Sequence, residues 1–377
     1  TCTFEKLSSS LLFKLLLLAC ILAVSAQRHQ PQRRLAEVDI DTLLGRISAS
    51  LQDAWTTPMP VGYAFWRSDT SGWGNQCRGM SAMLGFALLS GRKLIFTSSP
   101  EVPSAVYFDI FDEPSNSFSI NANRVKLSDL NTKGAWRGTG GQLGKPVEAY
   151  SELVQAALDS NGSVSHPCGC SFTSVLTTEA YADRWEKLLG ARLRADEIEV
   201  LLLMWLFQNP KPAMLAAVEK VKQQVGWASY SYHVAIQYRS WIDVKPFAPL
   251  RAESEARTLS CALEELHSLR LALPEPRVLV YITSDDPLFA QKVAHTLGAL
   301  PNITYASSPL LDRRHSAKYS KAGPRDMTVN VGVVDWFLLG EAAAALCTGT
   351  TFCTSARART GVGRSDWGLV GGVGAVG

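Results

Sequence analysis

The chain has 377 residues, 46% of them hydrophobic and 19% charged, with a formal net charge of +3 at neutral pH. That length exceeds what one hydrophobic core ordinarily serves, so two domains are expected. The small net charge gives no broad basic field, and no basic run is interleaved with aromatic residues, which sets nucleic-acid binding aside.

Ser10 to Ala26 reads SLLFKLLLLACILAVSA, an apolar run preceded by Lys6 and interrupted only by Lys14. Such a segment is an export signal. Val24-Ser25-Ala26 has the small residues a signal peptidase accepts, yet the run approaches the length of a tilted membrane anchor. Residues 1–27 are therefore expected to be a signal peptide or a signal anchor, and membrane contact is expected only through them if they stay uncleaved. A buried core helix is disfavoured, because the run has no polar stripe and leads into the polar stretch Gln27 to Arg34. Removing Cys2 and Cys20 with this segment leaves Cys77, Cys168, Cys170, Cys261, Cys347 and Cys353. In an exported chain these six are compatible with disulfides in any of fifteen connectivities. Structural zinc fits poorly, since the spacing offers only Cys168-Gly169-Cys170 and the nearby His166. The sequons Asn161-Gly162-Ser163 and Asn302-Ile303-Thr304 fit a lumenal route. The chain starts with Thr rather than Met and is expected to be incomplete at both ends.

Leu35 to Trp55 has apolar residues at helical spacing, which predicts an amphipathic stem or first helix. The Gly-rich segment Ser71-Gly72-Trp73-Gly74-Asn75-Gln76 predicts a turn before an apolar helix, Met80 to Ser90, closed by Gly91. Lys93 to Thr97 follows as a short buried strand. Glu179 to Lys222 is a helical block interrupted by Pro210 and Pro212. In the second half, His233 to Tyr238 predicts a strand, Leu259 to Leu271 a helix and Arg277 to Thr283 another strand. Pro287 to Leu300 continues as a helix, Asn302 to Ala306 as a strand, and Thr328 to Leu346 as a long apolar helix. This alternation implies parallel sheets in two doubly wound α/β domains, with a seam near Gln223 to Tyr230. The end, Gly361 to Gly377, is Gly-rich and closes without a helix.

Three elements carry chemistry. The strand Val234-Ala235-Ile236-Gln237-Tyr238 delivers Arg239 at its carboxyl end, where α/β sheets bind ligands. An arginine there suits a bidentate bond to phosphate, and equally a structural ion pair. The strand Val278 to Ser284 ends in Asp285 and Asp286 ahead of Pro287. One acid serves as a helix N-cap; a second is more than a cap requires. Asp335 lies on an apolar helix that leads to Cys347-Thr348-Gly349-Thr350-Thr351-Phe352, a strand end, a tight turn and a helix start. Such a turn presents amides and hydroxyls to a pyrophosphate, or is a solvated N-cap turn.

Together with Gly74-Asn75-Gln76 and the helix and strand after it, these elements resemble the fucosyltransferase superfamily that uses GDP-fucose, over most of Ser71 to Thr360. Ile236-Gln237-Tyr238-Arg239 and Thr350-Thr351-Phe352 are similar to motifs of the plant xyloglucan-type α-1,2-fucosyltransferases. The Gly74-Asn75-Gln76 segment looks like the protein O-fucosyltransferases, and Ser284-Asp285-Asp286-Pro287 like the α-1,6 enzymes.

The resemblance implies a GT-B fold of two doubly wound, Rossmann-like domains facing a cleft. A stem or first helix at residues 28–55 would precede an acceptor-side domain at 56–228 and a GDP-sugar-binding domain at 229–377. It implies Arg239 as the essential phosphate-binding arginine, Gln237 near the nucleotide, and Asp335 reading the guanine base. Thr350, Thr351 and Phe352 would hold the diphosphate, Asn75 would face the donor from the first domain, and Ser284 and Asp285 would join the donor site. Ser240 departs from the family, many members of which carry a second arginine there.

The activity so implied is an inverting transfer of fucose from GDP-fucose to a glycan or glycoprotein acceptor, in the Golgi and with no cofactor. No metal is expected, because Asp285 and Asp286 are adjacent and no Asp-x-Asp pair stands at these strand ends. Asp69, Asp109, Asp112 and Asp243 are candidates for the base on the acceptor hydroxyl. A transferase using another nucleotide sugar and a non-catalytic glycan-binding relative share the same features.

Overall fold

The structure is a computed structural model that describes residues 39–57, 62–67, 73–97, 107–114, 118–121, 136–137, 147–160, 162–166, 173–239, 255–256, 258–264, 266, 277–284, 286–298, 300, 302–307, 328–347, 350–361 and 368–369. The apolar segment Ser10 to Ala26, Cys168 and Cys170 lie outside these residues. Among the described helices none is long and apolar enough to cross a membrane.

Helix α1 (Ile40–Thr56) begins where the Asp39 carboxylate accepts from the Asp41 amide at 3.2 Å. Its buried face, Leu43, Ile47, Leu51 and Ala54, belongs to the same core as the first sheet, so this element is a packed first helix. Strand β1 (Tyr63–Arg67), helix α2 (Trp73–Ser90) and strand β2 (Lys93–Thr97) follow, with β1 and β2 parallel from Tyr63↔Lys93 to Arg67↔Thr97. Helix α3 (Tyr107–Ile110), strand β3 (Trp136–Arg137), helix α4 (Val147–Asp159) and strand β4 (Val164–His166) complete a parallel sheet of order β2-β1-β4-β3.

Helix α5 (Thr173–Leu176) precedes the expected helical block, which α6 (Ala182–Leu189), α7 (Ala195–Leu206) and α8 (Pro212–Gln224) form. Pro212 opens α8 at a first-turn position where no intrahelical N–H is needed.

The second sheet comprises β5 (Tyr232–Tyr238), β6 (Val278–Ser284), β7 (Ile303–Ser307), β8 (Ala344–Cys347) and β9 (Gly368–Leu369). Helix α9 (Pro287–Leu297) joins β6 to β7, α10 (Thr328–Glu341) precedes β8, and α11 (Thr351–Ala358) follows it. All pairs are parallel, in the order β7-β6-β5-β8-β9. The winding reverses between β5 and β8, and that reversal leaves a crevice outside the carboxyl ends of these two strands. Val234, Ile236, Val280 and Ile282 face Ala262, Leu266, Phe289 and Val293, while Ala235 and Tyr281 face the larger core containing α10 and α11. The period of two in these strands thus distributes apolar residues to both faces, as a sheet covered on both sides requires.

Two expectations are corrected. Trp73 to Gln76, expected in a Gly-rich turn, form the first turn of α2. The helix expected from Thr328 to Leu346 stops at Glu341, and Ala344–Cys347 is a strand in register with Val234 to Gln237. Ala344 to Leu346 have no side-chain period to separate helix from strand, so pairing with β5 decides. The buried Arg357 secures the stop by donating to the carbonyls of Leu339 at 3.4 Å, Gly340 at 3.3 Å and Ala342, where the helix dipole is negative.

The two sheets share one core. Trp73, Phe111 and Phe207 from the first half meet Trp336 and Phe337 from the second, with Phe207 and Trp336 ring centroids 5.1 Å apart and Trp73 and Trp336 5.9 Å apart, both near edge-to-face. Contacts of this geometry contribute about 0.5–1.5 kcal/mol each beyond the area they bury, which fixes the approach of the two sheets.

Candidate functional site

The crevice between β5 and β8 is closed by Gln237, two residues before Arg239, and by Thr350, the N-cap of α11. The Thr350 hydroxyl donates to Gln237 Oε1 at 2.7 Å and accepts from the Cys353 amide at 3.4 Å. Gln237 is buried, so its side-chain oxygen needs such a donor. Arg239 follows the last residue of β5 and is half-buried. In an extended backbone, positions two apart share a face, which sets Arg239 on the side of Gln237 and Thr350.

The first half of the chain reaches the same place. Asn75 Oδ1 accepts from the Thr351 hydroxyl at 2.5 Å. At Gly74 the helices touch: a Cβ there would stand 2.3 Å from the Phe352 nitrogen and 2.5 Å from the Thr351 carbonyl carbon. The amino-terminal turns of α2 and α11 therefore lie side by side, Gly74 against Phe352 and Cys77 against Ser355. Each end carries roughly half a positive charge, and Arg239 adds a full one on the neighbouring strand.

Of the residues expected in a donor site, Asn75, Gln237, Thr350, Thr351 and Phe352 are brought together, with Arg239 beside them. Ser284, at the end of β6, is buried and its Oγ accepts from the Asp286 amide at 3.0 Å. Asp286 caps α9 by accepting from the Leu288 amide at 3.0 Å, and Asp285 lies outside the described residues. Asp335 is buried and accepts from the Tyr281 hydroxyl at 2.5 Å. Among the candidate bases, Asp112 is exposed after α3, while Asp69, Asp243 and the side chain of Asp109 lie outside the described residues. Among the described residues no group of three or more His, Cys, Asp or Glu side chains is arranged to hold a metal ion.

Three contributors escape the sequence reasoning. Gly74 works through the space it leaves, for which the only signal is a glycine inside an apolar helix. Cys347 and Cys353 are joined by a disulfide across the turn, their Cα atoms 5.7 Å apart; cysteines flanking the Thr-rich segment were the signal, but pairing cannot be deduced from spacing. Ser355 accepts from Trp336 Nε1 at 2.9 Å and also bonds Cys77, whose thiol burial pushes well up, tying α2, α10 and α11 behind the site.

Two doubly wound parallel sheets with their helix termini meeting at the carboxyl ends define the GT-B class of fold, as expected. A mutant of FUT1 from Arabidopsis thaliana, solved in complex with GDP, is similar in fold, with a TM-score of 0.58 at 15% sequence identity over 84% of this chain and 73% of that one. NodZ α-1,6-fucosyltransferase soaked with GDP-fucose gives a TM-score of 0.45 at 16% identity over 78% of this chain and 92% of that one. A further structure, of NodZ from Bradyrhizobium, gives 0.44 at 16% identity over 78% and 91%. No protein-family model and no curated protein matches the sequence.

Proposed function

We propose that the chain is a glycosyltransferase that moves fucose from GDP-fucose to a glycan or glycoprotein acceptor, with inversion at the anomeric carbon. The observation that carries this is the meeting of the α2 and α11 amino termini beside Arg239. Two positive helix ends in contact repel each other, and an anion bound across both of them turns that repulsion into attraction. A diphosphate fits such a place in charge and in its demand for amide and hydroxyl donors. The FUT1 structure of the same fold was solved with GDP, which supports the choice of nucleotide.

The chemistry follows from charge. As the sugar leaves, the anomeric carbon becomes oxocarbenium-like and negative charge accumulates on GDP. The Arg239 guanidinium and the first-turn amides of α11 stabilise that charge before it forms, and so lower the barrier. Thr350, Thr351 and Asn75 orient the diphosphate, Phe352 and Ser284 line the donor site, and Asp335 reads the base. Acceptor attack from the opposite face inverts the centre. The proposed compartment is the Golgi lumen, supported by the apolar leader and by the exposed sequon residue Asn302.

Calorimetric titration of GDP and UDP, followed by transfer from GDP-fucose across a glycan array, tests the proposal. GDP binding well above UDP binding, with a fucosylated product, is expected. Equal affinity for the two nucleotides with no transfer would overturn it.

A further inference from the structure

Cys347 is the last residue of β8, paired in register with Gln237, and Cys353 is the third residue of α11. Both are fully buried. Their disulfide spans a sequence separation of 6 and encloses Thr350, Thr351 and Phe352. We propose that this disulfide is the positioning element of the donor-binding turn, so that affinity for a nucleoside diphosphate depends on its redox state. The inference rests on the donor site proposed above.

The reason lies in the hydroxyl protons. The turn is anchored by Thr350 donating to Gln237 and by Thr351 donating across to Asn75. A hydroxyl has one proton to donate. When a phosphate oxygen takes it, the bond to Gln237 or Asn75 is given up, so the ligand consumes the contacts that hold its own site. Ser355 and Arg357 still hold the later part of α11 to α10; at its amino terminus there remain the backbone contact with Gly74, the cap from the Cys353 amide, long at 3.4 Å, and the covalent link from Cys353 to the end of β8. The link keeps the α11 terminus at the crevice while its hydroxyls turn to the ligand. Without it, the turn must be ordered anew at each binding event, and that entropy subtracts from affinity.

Reduction is ordinary thiol–disulfide exchange. A thiolate of an added dithiol attacks one sulfur, the other leaves, and the second thiol of the reagent closes a cyclic disulfide; two electrons and two protons finish on Cys347 and Cys353 as thiols. Because both sulfurs are buried, attack requires the turn to open, and a diphosphate seated on the closed turn opposes that opening.

The test uses the full chain with GDP as probe. Peptide mass mapping first establishes the Cys347–Cys353 link, and its absence overturns the proposal. The rate of reduction by dithiothreitol is then followed with and without GDP, with slowing of about tenfold or more expected at saturation. GDP affinity and donor KM are measured on oxidised protein, on natively reduced and alkylated protein, and on the Cys347→Ala/Cys353→Ala variant. The latter two are expected to bind GDP about tenfold more weakly and to show a raised donor KM with kcat changed much less, as for a closed turn populated about a tenth of the time. The reduced wild type, checked by circular dichroism, keeps the test decisive if the variant does not fold. Reduction unaffected by GDP, or equal affinity in both redox states, overturns the disulfide's role and leaves the donor site standing. Oxidised protein that does not bind GDP at all overturns the donor site and this inference together.

Discussion

Gly74 and Phe352 lie against each other so closely that no side chain fits between them: a Cβ on Gly74 would stand 2.3 Å from the Phe352 nitrogen and 2.4 Å from its Cα. Both neighbours are backbone, so a rotamer change gives no relief. Gly74→Ala must push α2 and α11 apart, at about 1–3 kcal/mol for overpacking. A lowered Tm together with weaker GDP binding is expected, measured by thermal melt and calorimetry. An alanine variant with unchanged Tm would refute the close approach.

Arg239 separates chemistry from folding. Arg239→Lys keeps the charge and loses the planar fork, so most turnover should vanish while Tm barely moves. Arg239→Ala should abolish nearly all turnover and weaken GDP binding by about 1.5–3 kcal/mol, the scale of a charged hydrogen bond. A role as a buried ion-pair partner predicts instead a loss of about 3–5 kcal/mol in stability. Tm, GDP affinity and initial rate on the same preparations decide; a folded Arg239→Ala protein with near-normal turnover ends the proposed mechanism.

Thr350 caps α11 and satisfies the buried Gln237 at once. Thr350→Ala should lose about 1–2 kcal/mol of stability through the missing cap and the lost bond to the Gln237 amide oxygen, whereas Thr350→Ser should retain nearly all of it. Denaturant melts of the pair check this, and equal midpoints for Ala and Ser would contradict the double role.

No Asp-x-Asp pair marks the strand ends of the second sheet, and Asp286 is engaged as the cap of α9. Fucose transfer is therefore expected to persist in excess EDTA. Complete loss restored by Mn²⁺ would show that a metal carries part of the charge assigned to Arg239 and the α11 terminus.

Asn302 is exposed at a positive φ of 64° immediately before β7, a conformation asparagine tolerates. In a eukaryotic host that exports the chain, glycosidase treatment should increase its gel mobility, and Asn302→Gln should remove part of that shift. A chain with no shift and a cytosolic tag would refute export.

The sequence by itself determined the α/β alternation, because buried parallel strands need runs such as Val278 to Ile282 that are apolar on both faces. It also placed Arg239 at a strand end and Thr350 in a turn at a helix start, since polar residues after a strand or before a helix are a local pattern. Tertiary structure alone decided the rest. Ala344 to Cys347 became a strand because β5 was there to pair with it, and Gly74 acquired its meaning from a backbone 278 residues further along the chain (352 − 74). Cys347 found Cys353 and not another cysteine because the β8 end and the first turn of α11 bring their Cα atoms within 5.7 Å. Asp335 went to Tyr281 because a buried carboxylate bonds to whatever donor the opposing strand supplies. Local sequence encodes dihedral preferences and faces; which distant atoms come within hydrogen-bonding or van der Waals range is set only when the two sheets pack through Trp73, Phe207 and Trp336.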